Sequence, residues 1–261
     1  MQIHDGAYGT LLQHHLHGDE TVDDLCARAP RLVIDAHRAY LEAGADAIQT
    51  NSFLAHLRTS ERRRAQLQLA ALACAREAAA ADNGDARVLA TIGPVGSEAR
   101  GFWRDLELLL TNDAPTVLCE TITDRRIADA LLLAWVDVAS GVDTPLWLGC
   151  SVSPSAGADA SRWVLELASE APATVHIGLN CCEGPIGIRP LLEELCTTRG
   201  SAWVMPSAGI PDTSGPRPAW PFADADQWAD AVGELIDGLP IAAAGGCCGT
   251  SPDSIEALRL R

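Results

Sequence analysis

The 261-residue chain contains no lysine: all 19 of its basic side chains are arginines. That excludes Schiff-base chemistry and a lysine general base. Positive charge is scarce as well, since 35 acidic residues leave a net charge of -16. Phosphate groups would be repelled, which argues against nucleic acid or an anionic membrane surface as partner. Long apolar runs are missing: no stretch approaches the roughly 20 residues that span a bilayer. Residues 1–10 lack the basic start and apolar core of a signal peptide. No linker or low-complexity segment divides the sequence, so residues 1–261 are expected to form one domain. The nine cysteines are odd in number, in a chain long enough to build its own core, so a disulfide framework is not expected. Cys26, Cys74, Cys119, Cys150 and Cys196 stand singly in apolar surroundings and read as small buried hydrophobes. A reducing cytoplasm is the expected location.

What the chain has is alternation. Eight short apolar runs, at 2–4, 47–50, 87–92, 116–119, 146–150, 174–179, 202–205 and 241–244, read as strands. They are continuously hydrophobic, as strands covered on both faces by helices are. Between them, apolar residues recur at spacings of three and four, for example Leu67, Ala70, Ala71, Cys74 and Ala78. Eight such units in one chain of this length predict an α/β fold, a single-domain (β/α)8 TIM barrel. Asp124 and Ser251-Pro252 are plausible helix starts, and Gly44 and Gly84 plausible stops. The third unit is shortened: only 94–115 separates its strands, so a short helix is expected there. The Pro- and Gly-rich stretch 208–221 reads as a long loop, a length that usually carries function or mobility.

Chemistry in such a barrel sits at the C-terminal ends of the strands. Two of those ends carry cysteines: Gly178-Leu179-Asn180-Cys181 after the sixth run, and Gly245-Gly246-Cys247-Cys248-Gly249-Thr250 after the eighth. Three thiolates with a fourth position open are a ligand set for a catalytic zinc, and soft sulfur suits Zn2+ better than hard cations. A thiol entering the open position would be ionised at neutral pH, which points to thiol alkylation. Other strand ends carry carboxylates, Asp5 and Glu120. They could hold an ammonium group while the Gly6-Ala7 turn holds a carboxylate. Asp5 could equally shape its turn, Glu120 serve as a helix N-terminal charge, and Asn180 be a plain turn residue. His14, His15 and His17 lie beyond the first strand end and read as solvated.

With these residues in view, the chain resembles the homocysteine S-methyltransferase family, which includes betaine-homocysteine methyltransferase and the homocysteine domain of cobalamin-dependent methionine synthase. The segments DGAYGT, RAYLEAGADAIQTNSF, IGP, ETI, GLNC, PSAG and GGCCGTSP occur in the family's order across nearly the whole chain. The resemblance implies a (β/α)8 barrel with zinc held by Cys181, Cys247 and Cys248. It also implies that Asp5, Glu120 and the Gly6-Ala7 turn bind the homocysteine backbone, with Thr50, Asn51 and Asn180 in the same pocket. Three departures stand out. Cys182 adjoins the expected ligand Cys181; in a strand-like conformation only one of the two would face the metal. Residues 95–114 are shorter than usual after IGP. PSAG replaces the more usual PNAG.

The reaction implied is zinc-dependent methyl transfer to the thiol of homocysteine, giving methionine, in a methionine-forming transferase. S-methylmethionine or S-adenosylmethionine is the expected donor. Betaine would need an aromatic cage, for which Tyr8, Phe53, Phe102, Trp103 and Trp220 are available. Alternatives are another thiol or selenol acceptor, or a non-catalytic zinc or redox barrel whose cysteine pair oxidises.

Overall fold

A computed structural model describes residues 1–82, 85–215 and 218–261, with no side-chain description at 158 and 159. Gly84, read as a helix stop, lies outside the described residues. The eight expected strands are present: β1 (Gln2–Ile3), β2 (Ala47–Gln49), β3 (Arg87–Ile92), β4 (Val117–Ile122), β5 (Leu146–Cys150), β6 (Val175–Cys181), β7 (Ala202–Pro206) and β8 (Ile241–Ala244). All pair in parallel, in the order β1-β8-β7-β6-β5-β4-β3-β2. A bridge between His4 and Ala47 joins the two ends of that order, with the amide of Asp5 donating to Ala47 O at 3.1 Å. The result is a nearly closed TIM barrel.

Helices follow the strands in turn. After β1 come two short helices, α1 (Tyr8–Leu12) and α2 (Asp24–Arg28), and then α3 (Pro30–Glu42). The remaining units close with α4 (Glu61–Ala81), α5 (Ala99–Thr111), α6 (Arg125–Val138), α7 (Arg162–Glu170), α8 (Arg189–Arg199), α9 (Ala225–Ile236) and α10 (Pro252–Arg259). Their starts obey local chemistry. The Asp124 carboxylate accepts from the amide of Arg126 at 2.7 Å, and Ser251 and Ser254 cap α10 reciprocally behind Pro252. Gly44, at φ +91°, ends α3 in a conformation open to glycine. The third unit departs from expectation: α5 has 13 residues, more than α7 or α8. Its economy lies in the loop 93–98, not in the helix.

The core has two compartments. The larger lies between helices and the outer sheet face, and it absorbs the single cysteines Cys26, Cys74, Cys119, Cys150 and Cys196, all buried. The smaller fills the barrel's interior with Ala47, Leu89, Leu118, Trp147, Trp203, Met205 and Ala243. Glycine at 149 and 178 makes room for the Trp203 ring: a Cβ on Gly149 would stand 2.8 Å from Trp203 Cη2, and one on Gly178 still closer to that ring. Two tryptophans therefore plug the barrel below the C-terminal mouth and form the floor on which polar residues are set. Among the described residues no helix is long and apolar enough to cross a membrane.

Candidate active site

The last residues of β6 and the turn after β8 bring three sulfurs together. The Sγ atoms of Cys181, Cys247 and Cys248 all lie within 4.8 Å of one another, with Cys181 and Cys248 3.9 Å apart. Two sulfurs bonded at about 2.3 Å to one tetrahedral zinc stand roughly 3.8 Å apart, so the spacing fits that ion. Cys248 is exposed, the other two half-buried. Crowding divides their acidity. Hydrogen bonds from the Cys181 and Cys247 thiols hold the Cys248 pKa below the ordinary thiol range. Hydrogen bonding to Cys181, then to Cys248, together with burial pushes Cys247 well above it. Three sulfurs this close together cannot all ionise unless a cation offsets their charge.

Backbone contacts hold the cluster. The amide of Cys247 donates to Pro206 O at 3.0 Å, that of Ala208 to Cys248 O at 2.8 Å, and that of Ser207 to Cys181 O at 2.8 Å. The PSAG segment thus ties both cysteine turns together. Beyond it a bridge joins Asp212 and Ala219, and Trp220 packs over Gly249. Cys182 lies outside the cluster, its Sγ against Asn180 O at 3.4 Å. Strand alternation is not the reason. Cys181 and Cys182 have φ of +61° and +52°, so the chain turns through two left-handed residues where Cys181 diverges from its neighbour.

Beside the sulfurs, Glu120 lines a cavity of about 280 Å3 together with Gly6, Ala7, Thr50, Asn51 and all three cysteines, while the Asp5 carboxylate lies behind that wall, against Tyr8 and Gln49. A cleft of about 650 Å3 between α7 and α8 is larger but contains neither the cysteines nor the buried carboxylates. Asp5 is fully buried. The Tyr8 hydroxyl donates to its Oδ2 at 2.5 Å, the Gln49 amide to the same oxygen at 2.7 Å, and Gln49 Nε2 to Oδ1 at 3.1 Å. Burial nonetheless pushes Asp5 up to about 7, the three donors offsetting part of the desolvation. Burial, then the sulfur of Cys248 and the charge of Asp5, pushes Glu120 up to about 8.

Asn180 is fully buried and meets the site from behind. Its Nδ2 donates to Glu120 Oε2 at 3.0 Å and to Thr121 Oγ1 at 3.1 Å, while its Oδ1 accepts from the Thr121 amide at 2.9 Å. Thr121 has φ +60°, costly for a β-branched residue, and the β4 register shifts between Cys119 and Ile122. This bulge presents Glu120 to the cavity from within the strand, two residues before the strand's end. Thr50 bonds Ser52 Oγ at 2.8 Å, and Asn51 Nδ2 donates to Val22 O at 2.8 Å. Of the five aromatics open to a cation cage, Tyr8 and Phe53 line the cavity; Phe102 is fully buried in the core, and Trp103 sits on α5, donating to Asp137 at 2.7 Å. His14, His15 and His17 are exposed.

Four neighbours of the site escaped the sequence reading: Gln49, His37, Thr250 and the role of Tyr8. Gln49 was hidden inside its strand, although a glutamine facing a barrel interior is itself a signal. Thr250 accepts from the Ala7 amide at 3.3 Å and donates to Cys247 O at 2.7 Å, coupling the first and last turns. A Cβ on Gly6 would stand 2.6 Å from Thr250 Oγ1, so the turn beside Asp5 requires glycine.

A model of homocysteine S-methyltransferases matches residues 2–261. The chain belongs to the homocysteine S-methyltransferase family. It is 28% identical to the methionine synthases of Mycobacterium leprae and Mycobacterium tuberculosis, over 98% of its own length but 24% of theirs. The chain therefore spans about a quarter of these relatives. Among solved structures it superposes on the homocysteine methyltransferase MmuM from Escherichia coli in oxidised form, with a TM-score of 0.76 and 21% identity. That match covers all of this chain and 96% of MmuM. The metallated form of MmuM gives a TM-score of 0.75 at 22% identity, over the same share of each chain. These matches share its barrel.

Proposed function

We propose that the protein transfers a methyl group from an activated donor to the thiol of homocysteine, giving methionine, with a Zn2+ held by Cys181, Cys247 and Cys248. One observation carries this reading: a three-sulfur cluster and the buried Glu120 share a cavity of about 280 Å3, with the Asp5 carboxylate directly behind its wall at Tyr8 and Gln49. A site that needed only a metal or a redox pair has no use for Asp5 and Glu120, which cost desolvation to bury. When bound, zinc lowers the pKa of a thiol at its open position and keeps it nucleophilic at neutral pH.

The chain's own residues supply the rest. Asp5 and Glu120 receive the ammonium group, whose charge draws both carboxyl pKa values down from their raised positions. The turn at Gly6-Ala7 meets the carboxylate, and Thr50 and Asn51 line the remaining wall. Anchored at that end, the amino acid extends its thiol toward the sulfurs of β6 and β8. A new bond joins the thiol sulfur to the methyl carbon as the bond from methyl to the donor's sulfur breaks, leaving a neutral thioether. A sulfonium donor, S-methylmethionine or S-adenosylmethionine, suits this step because the site's net negative charge attracts it. Betaine fits less well, since Tyr8 and Phe53 are the only two of the five candidate aromatics that line the cavity. The proposed working location is a reducing cytoplasm, which would keep these cysteines free to hold the metal.

The experiment is metal content together with turnover. Protein purified under reducing, chelator-free conditions is expected to carry about one zinc per chain and to form methionine from homocysteine and S-methylmethionine. Zinc bound without methionine, with either sulfonium donor, would contradict the proposed reaction.

A further inference from the structure

One fully buried polar group near the cavity that the proposed reaction does not use is an imidazole. His37 on α3 is fully buried, and its Nδ1 stands 2.7 Å from the Tyr8 hydroxyl, with the two rings edge-on at 4.7 Å. Its Nε2 is buried with no hydrogen-bond partner among the described residues. Such an arrangement spends the ring's one donor on Tyr8 and leaves the other nitrogen unserved.

The hydrogen bonds can be given a direction. Asp5 Oδ2 accepts from the backbone amide of Gln49, a donor that cannot reverse, and it also lies 2.5 Å from the Tyr8 oxygen. In the ionised carboxylate, the form that receives an ammonium, that oxygen can only accept, and the single proton of Tyr8 points to it. Toward His37, Tyr8 has only a lone pair to offer, so His37 must donate from Nδ1. Burial pushes His37 down to about 3, so the ring is neutral and the proton on Nδ1 leaves Nε2 bare. Tyr40 cannot take the place of Tyr8, because its hydroxyl is spent on Ala7 O at 3.1 Å. Besides Gln49, the groups around Asp5 among the described residues are Tyr8, Tyr40 and Glu120, with His37 behind Tyr8, and none is cationic.

We propose that His37 and Tyr8 form a one-way hydrogen-bond relay that holds the Asp5 carboxylate ready to receive the amino group of the acceptor. Both are positioning residues: neither reaches the reacting sulfur, and each acts through Asp5. The relay supplies a polarised donor where the described residues offer no cation, and leaves Oδ1, which among them accepts only from Gln49 Nε2, with a second lone pair for the ammonium. The inference rests on the proposed function insofar as Asp5 is taken to bind that amino group, and it adds a determinant of selectivity for amino-acid thiols over simple thiols.

The test compares zinc-loaded wild type with Tyr8→Phe, His37→Leu, His37→Asn and Asp5→Asn. Calorimetric binding is measured for homocysteine and for 4-mercaptobutyrate, which is the same thiol without its amino group. Tyr8→Phe is expected to weaken homocysteine about 10-fold or more, the loss of a hydrogen bond to a charged group. It should leave 4-mercaptobutyrate and the zinc content unchanged, with KM rising and kcat holding within about 3-fold. His37→Leu should weaken homocysteine by a few-fold. His37→Asn, whose amide can donate from nearly the Nδ1 position, should restore it. Should Tyr8→Phe fail to fold, the contrast between Leu and Asn at position 37 still decides. Equal loss for both thiols, or no loss for either in Tyr8→Phe and His37→Leu while Asp5→Asn weakens homocysteine, overturns the relay. If Asp5→Asn also leaves homocysteine unaffected, the assignment of Asp5 to the amino group is what has failed.

Discussion

The two halves of the site are built in opposite ways. The sulfur half is made at the rim, from turns: Cys181 sits at φ +61°, Cys248 is exposed, and backbone hydrogen bonds from 206–208 hold the cluster. The carboxylate half is made inside the barrel, where Asp5 is fully buried and Glu120 is 8% exposed, each held by side chains from neighbouring strands or helices. A metal needs ligands that can adjust by tenths of an ångström and a side open to reactants, which turns provide. An ammonium group is held best by preorganised acceptors in a low dielectric, which strands provide. The division teaches that damage at the rim should remove the metal and leave the fold. Damage at the floor should spare the metal and alter binding or stability.

The largest effect is expected at the rim. Cys247→Ser should lose zinc and methyl transfer together, by more than the roughly 10–100-fold typical of an outer-shell partner, with the melting temperature of the metal-free form little changed. Metal analysis and a thermal scan on one preparation check this. At the floor, Asp5→Asn should retain zinc but lose homocysteine affinity by about 2–5 kcal/mol, the usual cost of removing one partner of a buried charge pair. Gln49 can accommodate the amide by turning its own.

Asn180→Ala tests the connection between the halves, since Asn180 ties Glu120 to the bulge at Thr121 beside Cys181. It leaves the Thr121 amide unpaired, at about 1–3 kcal/mol of stability, and a rise in KM should accompany the drop in melting temperature. The smallest effect concerns pH. The Asp5 pKa is raised to about 7 in the folded protein against an ordinary value of 3.8. A group raised in this way stabilises the fold below its unfolded pKa, and that contribution is lost as pH rises toward 7. Metal-free Asp5→Asn, which cannot ionise there, should therefore gain on wild type between pH 4 and 7, by on the order of 1–3 kcal/mol in urea titrations. A constant difference across that range would remove the burial argument for Asp5.

The barrel was legible because its eight apolar runs are short and evenly alternate with helical spacing, and every one became a strand. The cysteines were legible because thiols at two strand ends have few other uses. Less visible was anything set by a local break in regularity. The bulge at Thr121 carries β4 to Ile122 and places Glu120 within the strand, not beyond it. The left-handed pair at 181–182 separates Cys181 from Cys182 by a turn where strand alternation had been the expected cause. The helix α5 was underestimated because its unit economises on its loop. The surroundings of Asp5 were hidden for a different reason: Gln49, which bonds it, and His37, which bonds its partner Tyr8, lie 44 and 32 residues away, and only the closed barrel brings them together.

The central claim is that the sulfur cluster keeps one position for the thiol that the carboxylates deliver. Zinc-edge X-ray absorption on the zinc-loaded protein, with and without homocysteine, tests it directly. The account predicts three sulfur neighbours alone and four with homocysteine, and three again when Asp5→Asn is given the same subsaturating concentration. An unchanged sulfur count in wild type at saturating homocysteine would contradict it.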